Sequence, residues 1–315
     1  MKIIRLKKID STHNFAIRMI ENNSAFECGI LADIQTNGVG RCGRKWSSAS
    51  GNLCTSIIKK LPQNKDRDED WNKDLYTSIL KQLSQNEDRN ENQNEEQNKD
   101  LYTSILKKLS QNEDKDQDKD RNEDRNENQN KNKSEDICKI SLATACAVHK
   151  TVKNLLDIDQ KSLLYLHWPN DIYYKTKKLS GILLAVIGDW VVISVGLNIR
   201  SVSVPTAVSL DEIIDVSNIS AQELFYSVLS NLDDEMNLLR TDNFSDIRKY
   251  WLQNIIGMNS EVTIRNGKDS LSGIVRGIDG IGRLILERDG KKLYISSGDM
   301  FVDEKKIVVD YDEKE

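Results

Sequence analysis

The chain has 315 residues and a formal net charge of -5, long enough for one large domain or two smaller ones and too acidic for general nucleic-acid binding, so DNA is not expected as a partner. Hydrophobic residues at 38% and charged residues at 30% lean away from the globular average, a deviation carried by one internal segment. No apolar run is long enough to span a bilayer, the start "MKIIRLKKIDS" lacks the apolar core of a signal peptide, and five cysteines without a C-x-x-C pair suit reduced thiols in a cytoplasm.

Lys2 to Ile9 reads as a strand, after which Asp10, Ser11 and Thr12 offer N-caps for a helix over Asn14 to Ile20. The apolar run Gly29 to Ile34 reads as a second strand and leads into "NGVGRCGRKW". Gly38, Gly40 and Gly43 spell G-x-G-x-x-G, but a dinucleotide fingerprint needs its third glycine to open a helix. "RKWSSASGNL" follows, poor helix material, and the next element is the strand Leu53 to Ile58. The stretch is therefore expected to be a flexible loop between strands, carrying Arg41, Arg44 and Lys45. Glycines let backbone amides approach an anion, and arginine forks bind phosphate or carboxylate bidentately, although a plain solvated basic loop fits this stretch too.

Gln63 to Asp136 consists largely of Asn, Asp, Glu, Lys, Gln and Arg and is expected to be mostly disordered, because it cannot bury enough apolar surface to offset its ordering entropy. It also carries a repeat. "LCTSIIKKLPQNKD" at 53–66 recurs as "LYTSILKQLSQNED" at 75–88 and "LYTSILKKLSQNED" at 101–114, a duplication of one strand and turn, of which a single copy can fill the slot in a sheet.

Beyond this insert, Ile137 to Leu156 has helical spacing and Leu163 to Leu166 is a short strand. "HWPND" at 167–171 is by itself an ordinary turn, or a place where Asp171 holds Mg²⁺ beside a nucleotide phosphate. In "KKLSGILL", Lys178 precedes a buried-looking strand and Gly181 marks a close approach. Residues 182–187 and 191–199 form a hairpin about Gly188-Asp189, helices follow near Ala221 to Leu239 and Phe244 to Ile256, and the texture then turns to short strands broken by Asn-Gly and Asp-Gly. The fold class is α+β with a mixed or antiparallel sheet, followed by a small all-β module.

At this point "DSTHN", "ADIQTNGVGRCGRKWSSASGNLCTSI", "WPNDI", "KLSGILL" and "VGLNI" resemble, in order and spacing, the biotin–protein ligases (biotin–[acetyl-CoA-carboxylase] ligases). The resemblance runs from about residue 3 to 305 outside the insert. It implies a class II synthetase-like catalytic domain over 1–254, interrupted by the insert at about 63–136, and an SH3-like barrel over 255–315. It also implies the monofunctional form, without the DNA-binding domain of bifunctional members. The implied substrates are biotin and ATP, with Mg²⁺, and the implied partner is the biotin carboxyl carrier domain of a carboxylase. A homodimer is left open.

By the same resemblance, Lys178 and Arg41 are the catalytic cations. Ser11, Thr12, His13, Gln35, Gly38, Val39, Gly40 and Gly181 border biotin, while Arg41, Arg44, Asn170, Asp171 and Asn198 lie on the nucleotide side, with Asp171 also toward the metal. Gly38 to Arg41 is implied to order on binding. The chain departs from the family pattern at Val39, where an arginine is usual, at His167, where a lysine is usual, and at His13, where an asparagine is usual. Both histidines read better as structural than as bases, and Trp46, Trp168, Trp190 and Trp251 as packing residues. Lipoate or octanoate ligases share the catalytic fold and stand as the alternative within enzymes. A catalytically silent binding module is the alternative outside them.

Overall fold

The computed structural model describes residues 1–61, 123–202 and 204–302. Most of the polar insert, its second and third repeat copies and Trp71 lie outside the described residues, and so does the expectation of disorder there. The described chain divides into two compact units. The first comprises residues 1–61, 183–202 and 216–226, and the second residues 123–182, 204–215 and 227–302.

In the first unit, β1 (Lys2–Ile9) runs parallel to β2 (Cys28–Gln35), which pairs antiparallel with β5 (Leu53–Lys60), which in turn pairs antiparallel with β9 (Trp190–Leu197). The far end of β8 (Lys177–Ile187) completes the order β1-β2-β5-β9-β8, a mixed sheet. Helix α1 (Thr12–Glu21) begins as the sequence suggests: Ser11 is extended and its hydroxyl accepts from the Asn14 amide at 3.4 Å. Phe15, Ala16, Met19 and Ile20 of α1 pack into one apolar cluster with Ile30, Ile58 and Val192 of the sheet. The first repeat copy supplies β5, so residues 53–60 occupy the strand slot.

The second unit is built around α2 (Glu123–Lys153), whose run Ile140 to Val148 buries Ile140, Leu142, Val148 and three alanines. Residues 123–136 are helical, which corrects the expectation that the disordered region extends to Asp136. Lengthening an existing helix needs no new nucleus, so polar residues are carried along. A short helix α3 (Ile158–Lys161) precedes β6 (Leu164–His167), β7 (Asp171–Tyr174) and the near end of β8, all antiparallel. Most of α4 (Ala221–Arg240) and all of α5 (Phe244–Asn254) belong here too.

Trp251 is fully buried and its indole donates to the Leu142 carbonyl at 2.9 Å. Trp168 donates to the Gly282 carbonyl at 3.3 Å, which confirms both as packing residues. The five strands β10 (Glu261–Asn266), β11 (Asp269–Ile278), β12 (Leu284–Arg288), β13 (Lys291–Ile295) and β14 (Asp299–Val302) form the expected antiparallel sheet, in the order β13-β12-β11-β10-β14. Its β12–β13 turn is Asp289-Gly290 with both φ angles positive, at 51° and 71°, the geometry that makes Asp-Gly a hairpin signal.

Candidate active site

The glycine stretch, expected as a flexible loop between strands, carries a small hairpin of its own. Gly38–Val39 (β3) pairs antiparallel with Lys45–Trp46 (β4), and a single 3₁₀ turn at Arg41–Gly43 closes this small hairpin. Gly43 has φ 71° and opens no helix, so the fingerprint reading fails in the structure as it does in the sequence. The hairpin has a local cause: the Gly40 amide donates to the Arg44 carbonyl at 2.7 Å, and the Arg44 amide donates back to the Arg41 carbonyl at 3.1 Å. The Arg44 guanidinium also donates to the Arg41 carbonyl, folding that side chain against its own turn. A Cβ on Gly38 would collide with the Trp46 carbonyl, and one on Gly196 would run into the Trp46 indole. The glycine in "VGLNI" therefore leaves room for Trp46.

Beside this hairpin, the first unit gathers a set of uncharged polar side chains. Gln35 Oε1 accepts from both the backbone amide and the hydroxyl of Thr12, at 2.8 and 3.1 Å. Ser56 Oγ donates to Thr12 Oγ1 at 2.9 Å and lies 2.8 Å from Ser194 Oγ, which lies 2.8 Å from His13 Nδ1. Burial holds the His13 imidazole below its ordinary pKa and so neutral. Ser56 and Ser194 face one another because β5 and β9 pair in the register Ser56↔Ser194. The sequence reading missed both. The available signal was a serine within each of two largely apolar strands, "LCTSII" and "VVISV". Asn52 was also missed: its Oδ1 accepts from the amides of Ile199 and Arg200, at 2.8 and 2.7 Å, and ties down the chain just after buried Asn198.

The second unit holds a charged group. Lys178 Nζ donates to Asp171 Oδ2 at 2.6 Å, while Asp171 Oδ1 is buried with no hydrogen-bond partner. A β-bulge creates this pairing. Asp171 stands opposite Gly181 and Ile172 opposite Ser180, but Tyr173 stands opposite Lys178, so one residue of β8 is skipped. Without the skip, Lys178 would oppose Tyr174 and point away from the Asp171 face. The other edge of Lys178 is also held: its amide donates to the Thr206 carbonyl and its carbonyl accepts from the Val208 amide, both at 3.0 Å.

His167, opposite Asp171 on β6, stacks on Tyr173 with ring centroids 4.2 Å apart. Burial pushes its pKa down to about 4 despite the Asp171 carboxylate, so it is a neutral structural ring. Asn170 is buried, and its side-chain amide donates to the Ile182 carbonyl. The structure thus brings Thr12, His13, Gln35 and Gly38 together in the first unit, with Ser11 heading the helix and Val39, Gly40, Arg41 and Arg44 in the hairpin. It brings Asn170, Asp171, Lys178 and Gly181 together in the second.

Among the described residues, no group of three or more His, Cys, Asp or Glu side chains could hold a metal. A magnesium ion that bridges phosphates keeps several waters and takes only one or two carboxylates, so the unpartnered Asp171 Oδ1 fits such an ion.

Residues 126–199 match the biotin/lipoate A/B protein ligase family, and residues 257–303 match the biotin protein ligase C terminal domain. The chain is 32% identical over 165 residues to the biotin–[acetyl-CoA-carboxylase] ligase of Mycobacterium tuberculosis, a match covering 51% of this chain and 61% of that protein. It is 31% identical over 134 residues to the bifunctional ligase/repressor BirA of Escherichia coli, covering 39% of this chain and 41% of that protein. The chain thus spans less than two thirds of the length of either relative.

Among solved structures, the biotin protein ligase from Aquifex aeolicus in complex with biotin and ATP superposes with a TM-score of 0.61 at 20% identity, covering 95% of this chain and 97% of that one. The biotin acetyl coenzyme A carboxylase synthetase from Helicobacter pylori gives 0.53 at 16% identity, covering 93% and 99%. At such identities the likeness shows the shared fold, α+β with a mixed sheet and a C-terminal antiparallel one.

Proposed function

We propose that the chain is an ATP-dependent biotin–protein ligase, a reading supported by its matches to the biotin/lipoate A/B protein ligase family and to the biotin protein ligase C terminal domain. The carboxylate of biotin attacks the α-phosphorus of ATP, pyrophosphate leaves, and biotinyl-5′-AMP forms. A lysine amine of a biotin carboxyl carrier protein then attacks the acyl carbon. AMP leaves with the bonding pair, and the nitrogen gives up a proton as the amide forms. No enzyme nucleophile is needed, so catalysis rests on holding two anions together and neutralising charge as it grows.

The observation that carries this reading is Lys178, an ammonium placed by the bulge on the Asp171 face and steadied by that carboxylate. In the proposed reaction Lys178 and Arg41 neutralise the reacting carboxylate and phosphate. Arg44, Asn170, Asp171 and Asn198 serve the nucleotide, and Ser11, Thr12, His13, Gln35, Gly38, Val39, Gly40 and Gly181 border biotin. Asp171 Oδ1 would hold magnesium, which when bound supplies further neutralisation of phosphate charge. The catalytic domain is proposed as residues 1–254 and the C-terminal SH3-like domain as 255–315. The proposed setting is the cytoplasm, with a carboxylase's carrier domain as partner.

ATP–pyrophosphate exchange, measured with biotin, lipoate and octanoate supplied separately, tests the proposal. Exchange with biotin alone is expected. Exchange with lipoate or octanoate instead would replace the assignment, and no exchange with any of them would refute it.

A further inference from the structure

The hydroxyls of the first unit have one consistent arrangement of hydrogens. The Thr12 backbone amide donates to Gln35 Oε1, which fixes that atom as the amide oxygen rather than the nitrogen. Thr12 Oγ1, 3.1 Å from the same oxygen, must then donate to it, so its remaining contact with Ser56 is one that it accepts. Ser56 has spent its single proton on Thr12. Its 2.8 Å contact with Ser194 therefore requires Ser194 to donate, and the 2.8 Å contact between Ser194 and His13 Nδ1 requires the imidazole to donate. The chain runs one way, from His13 through Ser194, Ser56 and Thr12 to Gln35, and its two serines meet across β5 and β9.

We infer that His13 is a positioning residue: as the Nδ1–H tautomer it heads a one-way hydroxyl chain that fixes Thr12 and holds the Gln35 amide with its oxygen on Thr12, so that its nitrogen is the end left to meet a substrate. This rests on the biotin-side roles proposed for Thr12 and Gln35. With the Gln35 oxygen engaged twice, what Gln35 still offers is Nε2–H, which here meets only weak partners, Ser48 Oγ at a long 3.5 Å and the Cys54 thiol. A substrate head meeting Gln35 must therefore present a hydrogen-bond acceptor, which a plain saturated acyl chain such as octanoate lacks. Such a head would offer the half-buried Gln35 donors nothing better than those weak partners, which a site discriminates against. Burial of the ring, which keeps it neutral, agrees with a single-proton tautomer.

Two experiments test the chain. Long-range ¹⁵N–¹H NMR of the full protein near neutral pH, with the His13 signals identified by their loss in His13→Asn, is expected to show the Nδ1–H tautomer; Nε2–H would overturn the inference. In exchange assays, His13→Leu and Ser194→Ala are expected to raise the KM for biotin about tenfold, the worth of one lost hydrogen bond in this setting. The kcat and the KM for ATP should stay within about twofold. His13→Asn, whose amide donates from nearly the same place, is expected to restore the wild-type KM. Equal losses for both substrates, or no rescue by asparagine, would reduce His13 to a packing residue and overturn the inference. A wild-type protein with the Nδ1–H tautomer but no biotin-dependent exchange would keep the chain and overturn both the ligase reading and the substrate role drawn from it.

Discussion

In the first unit, the polar side chains beside α1 are neutral and fixed in direction: two serines, a threonine, a glutamine and an uncharged histidine hand hydrogens along one line. In the second unit the corresponding cluster is a lysine and an aspartate in contact, with one carboxylate oxygen left unpartnered. Uncharged groups read the shape and the donor–acceptor pattern of a head group, and each contributes modestly. A fixed ammonium acts on charge that appears only as bonds change, where its leverage is far larger. Under the proposed function, recognition and chemistry draw on different physical terms, so substitutions in the two clusters should separate in kind as well as in size.

The largest expected effect is at Lys178. Lys178→Met should reduce the rate of biotinyl-5′-AMP formation by about 10²–10³-fold, since loss of one charge-stabilising donor costs on that order. Single-turnover measurement of adenylate formation checks this, and turnover like wild type would break the contrast on its charged side. Asp171→Asn keeps the shape but removes the carboxylate and should reduce the same rate by about tenfold. It should also raise the magnesium concentration at half-maximal exchange, because an amide oxygen is a weaker ligand than a carboxylate. An unchanged magnesium titration would remove Asp171 as the proposed ligand.

Gly196→Ala sharpens the neutral side. Its Cβ would meet the Trp46 indole, so overpacking should cost about 1–3 kcal/mol in urea unfolding or displace the β3–β4 hairpin. A variant as stable as wild type would show that the hairpin yields readily.

The last effect concerns pH and lies outside both clusters. His149 is buried, contacts the Tyr250 hydroxyl and the Leu164 carbonyl, and has its pKa pushed down to about 4, chiefly by burial and also by Lys150 and Lys153. An unfolded histidine takes up a proton near pH 6.5, and the folded one does so only near 4. The unfolded chain therefore binds more protons between those values, and stability should fall as pH drops through that window, by at most about 1.4 kcal/mol per pH unit from this residue. In His149→Asn, the difference in unfolding free energy between pH 7 and pH 5 should shrink by that share. An undiminished difference would refute the assignment to His149.

Much of this organisation was legible in the chain itself. Lys2 to Ile9 is the strand its sequence suggests, Ser11 caps the helix it precedes, and Asp289-Gly290 makes the turn that its residue types favour. These features depend on neighbours a few residues apart, so short-range propensity decides them. The hairpin at Gly38 to Trp46 was not legible, because glycine-rich sequence permits many backbones and only the hydrogen bonds between Gly40, Arg41 and Arg44 select one. The helical stretch over residues 123–136 escaped for a related reason, since its polar composition argues for disorder unless a buried helix already follows it.

The sequence alone, then, determined the types of most elements outside the glycine stretch and the polar insert, the likeness to biotin–protein ligases and which residues were chemically suited to anions. Tertiary structure decided which of them lie together. Ser56 and Ser194 lie 138 positions apart and touch only because two antiparallel strands adopt one register. Lys178 reaches the Asp171 face only because β8 skips one residue against β7. Strand register sets the facing of every side chain along a sheet, and it is settled by long-range pairing that no local run of residues encodes.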